Sequence, residues 1–170
     1  MKKVAYITII FIFCFLTNLE PSNDTPSEKQ SLNFLVGEWD SISINQENGE
    51  KSTGYSSIQW ILGGKWLQWK FKGKFKSGSI EVLTLINYNE KRNKYAFYSF
   101  NPFDDHPLPH FGQWIDPKTL RLEIDEDSKK IWVDLIIIEH GKFDQIHSEV
   151  ISQDKRRITR KTTYTRIMNK

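Results

Sequence analysis

From Glu38 onward, apolar residues recur mainly at every second position, and helical spacing of three and four is rare. A period of two marks half-buried strands. Turn-forming residues interrupt it at intervals that suit a sandwich or barrel. The pattern predicts strands near 38–45, 53–62, 65–72, 80–88, 94–101, 109–115, 119–125, 130–139, 143–151 and 156–167. One segment reads as a short helix: Leu32, Leu35 and Val36 follow a candidate capping box of Ser27 and Gln30, and Gly37 ends it.

The best-defined local feature is Leu62-Gly63-Gly64-Lys65. Two glycines between strand-like runs fit a two-residue turn with positive φ at both centres. That turn sets Trp60 opposite Leu67, Ile58 opposite Trp69 and Ser56 opposite Phe71 on one face. The other face pairs Gln59 with Gln68, Ser57 with Lys70 and Tyr55 with Lys72. A slip by one residue would invert both faces, so turn chemistry and hydrophobic alternation agree on one register. Asp116-Pro117-Lys118-Thr119 is a second turn, with Pro where a type I turn favours it. Ile131, Val133, Leu135 and Ile137 give an inward face, while Trp132, Asp134, Ile136 and Ile138 make the opposite face unusually apolar. Cover from the short helix or from a second copy of the chain, as a homodimer, is expected there.

The N-terminus has a different character. Met1-Lys2-Lys3 precedes an apolar run from Val4 to Leu16 broken only by Thr8, the layout of a secretory signal and short for a membrane span. The expected organisation is a signal peptide over 1–19, a polar, Pro-containing linker over 20–30 and a barrel domain over 31–170. The protein would be exported to the periplasm or beyond, touching membrane only through the leader. Cys14, the single cysteine, lies in the leader behind the bulky Phe13, so the mature chain would have no disulfide, thiol nucleophile or Cys-ligated zinc. Losing Lys2 and Lys3 with the leader, which holds no acid, lowers the formal charge from +3 to +1. Near-neutrality gives no electrostatic basis for binding nucleic acid. Aromatics at 14%, with six tryptophans, are enough for a real core.

Five motifs occur in order: Leu35-Val36-Gly37-Glu38-Trp39, Ile61-Leu62-Gly63-Gly64-Lys65-Trp66, Asn87-Tyr88-Asn89, Gly112-Gln113-Trp114-Ile115-Asp116 and Thr163-Tyr164-Thr165-Arg166. From Leu32 to Ile167 the chain resembles the bacterial family known as domain of unknown function 1579, with Asn87 where that family usually has Gly. The resemblance implies a lipocalin-like (calycin) antiparallel β-barrel and no activity. Gly37-Glu38-Trp39 and Arg166 also match the calycin pattern of a Gly-x-Trp on the first strand with a late Arg across the indole. Such a cation over an aromatic face contributes about 0.5–2 kcal/mol and is structural.

Chemistry-bearing motifs are lacking: there is no Gly-x-Ser-x-Gly, phosphate loop or dinucleotide fingerprint. His106 and His110 are four apart, but Pro107 and Pro109 exclude a helix, and an extended chain separates them by about 12 Å. With Asp104 and Asp105 they read as a polar loop over the barrel mouth, and no metal site is expected. Glu123, Asp125, Glu126 and Asp127 lack the spacing and Gly of a calcium loop. Lys155, Arg156, Arg157, Arg160 and Lys161 make a basic patch on the last hairpin. His147 shares a face with Glu149, opposite Ile146 and Val150, so solvent is its expected side. His110 is the histidine whose position suits the interior, which a haem or gas-handling barrel would need.

The expected protein is therefore a non-enzymatic barrel of about ten strands, without a cofactor, that binds a small apolar or amphipathic molecule. Its pocket is expected among Trp60, Leu67, Trp69, Phe71, Phe97 and Tyr164. Gly37, Trp39, Gly63, Gly64 and Arg166 have structural roles. The alternative is that these side chains fill the barrel, leaving a structural or interaction role.

Overall fold

The structure is a computed structural model describing residues 30–103, 107, 109–126, 129–152 and 155–168. The leader, the linker before Gln30 and the loop residues 104–106 lie outside the described residues. The strands are β1 (Gly37–Asn45), β2 (Lys51–Ile61), β3 (Trp66–Phe75), β4 (Gly78–Asn89) and β5 (Lys94–Phe100). They continue as β6 (Pro109–Asp116), β7 (Thr119–Glu126), β8 (Lys129–Glu139), β9 (Lys142–Ser152) and β10 (Lys155–Arg166). Each pairs with its sequence neighbour, and β10 returns to β1 to close an antiparallel barrel. Closure leaves no strand edge unpaired. All ten expected strands are present, with ends shifted by up to three residues.

The β2–β3 register is the one the glycine turn dictates, with Trp60 opposite Leu67 and Ile58 opposite Trp69. Gly63 and Gly64 have φ of +65° and +78°, as a turn of this hand requires, and the exposed Leu62 joins them at +50°. The expected short helix is present as a 3₁₀ helix, Gln30–Leu35. It plugs one end of the barrel and is held there by indoles. Trp39 Nε1 donates to Leu35 O at 2.8 Å, Trp60 Nε1 to Asn33 Oδ1 at 2.7 Å and Trp114 Nε1 to Ser31 Oγ at 3.2 Å. Arg166 completes this closed end. Its guanidinium carbon lies 4.4 Å over the Trp39 ring, while its nitrogens donate to Val36 O and Phe34 O. Gly37 allows that approach: it has φ +137°, and a Cβ there would sit 2.3 Å from the Arg166 Nη1.

On the outer face of β8, part of the cover comes from the chain's own arginines. Asp134 is 1% exposed there and receives Arg121 on two atoms, Nε to Oδ1 at 2.7 Å and Nη2 to Oδ2 at 2.9 Å. Arg156 reaches across β9 to the same carboxylate at 2.6 Å. The Arg121 guanidinium also lies 4.1 Å over the Trp132 ring. Two guanidinium groups of the same chain thus cover this face at Trp132 and Asp134, while Ile138 farther along it is 43% exposed.

Candidate functional site

Above the plug the barrel encloses a cavity of about 300 Å³. Its floor is aromatic. Phe143 stacks on Tyr164, ring centres 4.4 Å apart and nearly parallel, and meets Trp39 and Trp69 edge-on. The Tyr164 hydroxyl donates to Gln145 Oε1 at 3.0 Å. Burial pushes that phenol well above the usual tyrosine range, so it stays a neutral donor.

The wall has two halves, because neighbouring strands contribute different residue types to the same inward face. Strands β3 to β8 supply mainly apolar groups: Trp69, Phe71, Val82, Phe97, Leu122 and Val133 among them. Strands β1, β9 and β10 supply Ser43, Gln145, His147, Arg160, Thr162 and Tyr164. Thr162 Oγ1 donates to Ser43 Oγ at 3.0 Å, and Thr84 shares a 3.0 Å hydrogen bond with Ser99 on the far side. Trp69 Nε1 donates to Ser56 Oγ at 2.9 Å, satisfying the one polar atom of that side chain. A largely apolar wall with a few placed polar groups is the usual make-up of a small-molecule site.

Of the residues expected to line a pocket, Trp69, Phe71, Phe97 and Tyr164 do so. Trp60 and Leu67 do not. They share the inward face of the hairpin but lie at its closed end, where Leu67 is fully buried in the core and Trp60 packs on the plug. His147 corrects the expectation of solvent, because β9 turns Gln145 and His147 inward and leaves Ile146 and Val150 outside. Burial, with the positive charge of Arg160 beside it, lowers the His147 imidazole from 6.5 to about 4. The ring is therefore neutral at ordinary pH and can accept as well as donate a hydrogen bond. His110 lines the same cavity, on the inward side its position suited. Among the described residues no group of three or more His, Cys, Asp or Glu is placed to hold a metal ion.

Fold and cavity together define a lipocalin-like antiparallel barrel with an internal chamber among the described residues. Residues 24–101 match the family model described as protein of unknown function DUF1579, which bears out the resemblance carried by the motifs. The motifs of β6 and β10 lie beyond the matched span. Among solved structures, the S-type phycobiliprotein lyase CPES from Guillardia theta is similar, with a TM-score of 0.59 at 14% identity over 81% of this chain and 90% of that one. Rv2717c from M. tuberculosis also gives a TM-score of 0.59, at 9% identity, over 82% of this chain and 96% of the other. At such identities the likeness speaks for the fold alone. No curated protein matches the sequence.

Proposed function

We propose that this protein binds a small amphipathic molecule inside its barrel and does so outside the cytoplasm. The observation that carries the reading is the cavity itself, about 300 Å³ with an apolar wall from β3 to β8 facing a polar one from β1, β9 and β10. A chamber at the lower end of the usual range for ligand sites suits a small molecule. The recurrence of this barrel in a phycobiliprotein lyase supports the reading only at the level of fold. Export rests on Lys2, Lys3 and the apolar run Val4–Leu16.

Titration with the neutral dye N-phenyl-1-naphthylamine tests binding, because Trp69 at the cavity wall should transfer energy to a dye inside. Saturable binding of one dye per chain, weakened by the cavity-filling substitution Val133→Trp, is expected. Absence of saturable binding would reject the reading. Mass measurement of the protein from its producing cell tests export, and an intact Met1 in the soluble cytoplasm would reject it.

A second reading, a haem or gas-handling barrel, is favoured by one observation: His110 and His147 both face the cavity. A Soret band in protein purified from its own cell would support it, and colourless protein that takes up no haem would exclude it.

A further inference from the structure

We infer that the molecule held in the barrel is an organic anion, with its charged group on the Arg160 guanidinium at the cavity mouth and its apolar body against the β3–β8 wall. The inference deepens the ligand-binding reading and rests on it.

The five cations of the last hairpin are not equivalent. Arg156 is spent on Asp134 at 2.6 Å, Arg157 on Glu149 and, at 3.6 Å, on Glu47, and Lys161 on Asp144 at 2.8 Å. Lys155 is exposed on the outside of the hairpin end. Arg160 alone of the five lines the cavity. No carboxylate among the described residues forms an ion pair with it; Glu50 lines a neighbouring pocket together with Arg160 and Ser43 without reaching ion-pair distance.

Backbone geometry makes this difference. Arg156 and Arg160 are an even number of residues apart and would share a face on an unbroken strand. A bulge between Ile158 and Arg160 changes the parity, so that Arg160 pairs with the inward His147 while Arg156 pairs with the outward Val150. Bulges re-aim side chains in this way beside functional sites. The surroundings of Arg160 then favour a negative partner. No carboxylate lines the cavity, and Ser43, Thr162, Gln145 and the His147 ring offer further hydrogen bonds along the same wall. The His147 ring makes no hydrogen bond to another described side chain. A guanidinium facing a carboxylate-free, partly apolar chamber binds an anion more strongly than it would in open solvent.

Calorimetric titration of the protein with sodium decanoate and, in parallel, with 1-decanol separates charge from chain. Decanoate is expected to bind at least about tenfold more tightly, the worth of a charge-assisted hydrogen bond in a part-exposed site. Arg160→Gln should remove that advantage and leave decanol binding unchanged, while Arg160→Lys keeps part of it. Equal affinities for the two compounds, or an advantage that survives Arg160→Gln, would overturn the inference while leaving ligand binding intact. Dye binding without binding of either alkyl compound would also overturn it. Failure of the neutral dye as well would instead bring down the ligand-binding reading.

Discussion

Replacing Arg166 by alanine tests how the closed end is held, and the structure gives the size of the effect. The substitution removes a cation 4.4 Å over the buried Trp39 ring, worth about 1–2 kcal/mol in a desolvated setting. It also removes two charge-assisted hydrogen bonds to Phe34 O and Val36 O, each worth about 1.5 kcal/mol. Against these stands the Arg166 Nε, buried without a partner, whose removal returns about 1 kcal/mol. The net loss is about 3 kcal/mol, or about 10 °C in melting temperature for a barrel of this size. Gly37→Ala attacks the same contact from the other side. It adds positive-φ strain of about 1–2 kcal/mol and places a Cβ where the guanidinium lies, 2.3 Å from Nη1. With Arg166 already gone, only the backbone strain remains. The double variant should therefore be more stable than the sum of the single losses allows, by about 2–3 kcal/mol. Urea denaturation of the four proteins measures this coupling. Additivity within about 0.5 kcal/mol would refute the claim that Gly37 is there to admit Arg166.

Three further outcomes follow from local geometry. Gly64→Val should cost about 1–3 kcal/mol by denaturant midpoint; a Cβ there meets nothing within 4 Å, so the cost is conformational, and a neutral result would reject the strain. Asp134→Ala should cost about 3 kcal/mol by leaving Arg121 and Arg156 without their shared partner, and more than Arg156→Ala, whose guanidinium is the more exposed of the two. Burial alone would raise the Asp134 carboxyl, but the hydrogen bonds from both arginines outweigh it and hold it below the usual range. Its stabilising effect is therefore complete above the ordinary carboxylate pKa and disappears as pH falls through the lowered value. His147, lowered from 6.5 to about 4, takes up its proton in the unfolded chain first, so wild type should lose up to about 3 kcal/mol relative to His147→Gln between pH 6.5 and 4. Parallel stability curves for the two proteins would reject a buried neutral imidazole.

Much of the barrel was legible because the evidence for it is local. Val133 and Leu135 face inward as their alternation requires, and Gly63-Gly64 fixes the β2–β3 register through chemistry confined to four residues. The Trp39–Arg166 contact was available only through the calycin resemblance, since nothing local links residues so far apart. Trp60 and Leu67 show a different limit. Alternation says which face a residue occupies, but not how far along the barrel axis it lies. The plug that places those two in the closed end is a tertiary feature, and its 3₁₀ form depends on indole donors arriving from β1, β2 and β6.

The polar wall of the cavity was hidden for a sharper reason: it depends on bulges. A two-residue turn at His140-Gly141, carried through an unbroken ladder from Glu139 opposite Lys142, would pair Leu135 with Ile146 and Val133 with Ser148. Ile146 would then point inward and His147 outward, which is the reading the alternation suggests. The register instead shifts between Ile137 and Glu139, so Leu135 meets Gln145 and Val133 meets His147. One extra residue at Ile138 thus exchanges an apolar wall for Gln145 and His147. The second shift, between Ile158 and Arg160, keeps Arg160 beside His147 while sending Arg156 outward to Asp134. Neither bulge is marked by a glycine, and Ile138 and Thr159 are ordinary strand formers, so composition and period are silent about both. What offsets the two unpaired strand positions is visible only in the folded molecule, where Asp134 gains its second guanidinium. Deleting Ile138 removes the extra residue and lets the Glu139–Lys142 pair lead directly into Ile137–Phe143, so Leu135 stays opposite Gln145 and Val133 opposite His147. His147 should then remain inward, with its imidazole near 4 as in wild type. An NMR titration of the His147 ring in wild type and in the deletion variant checks this, and a value near the ordinary 6.5 in the variant would show that these strand pairs do not set the face.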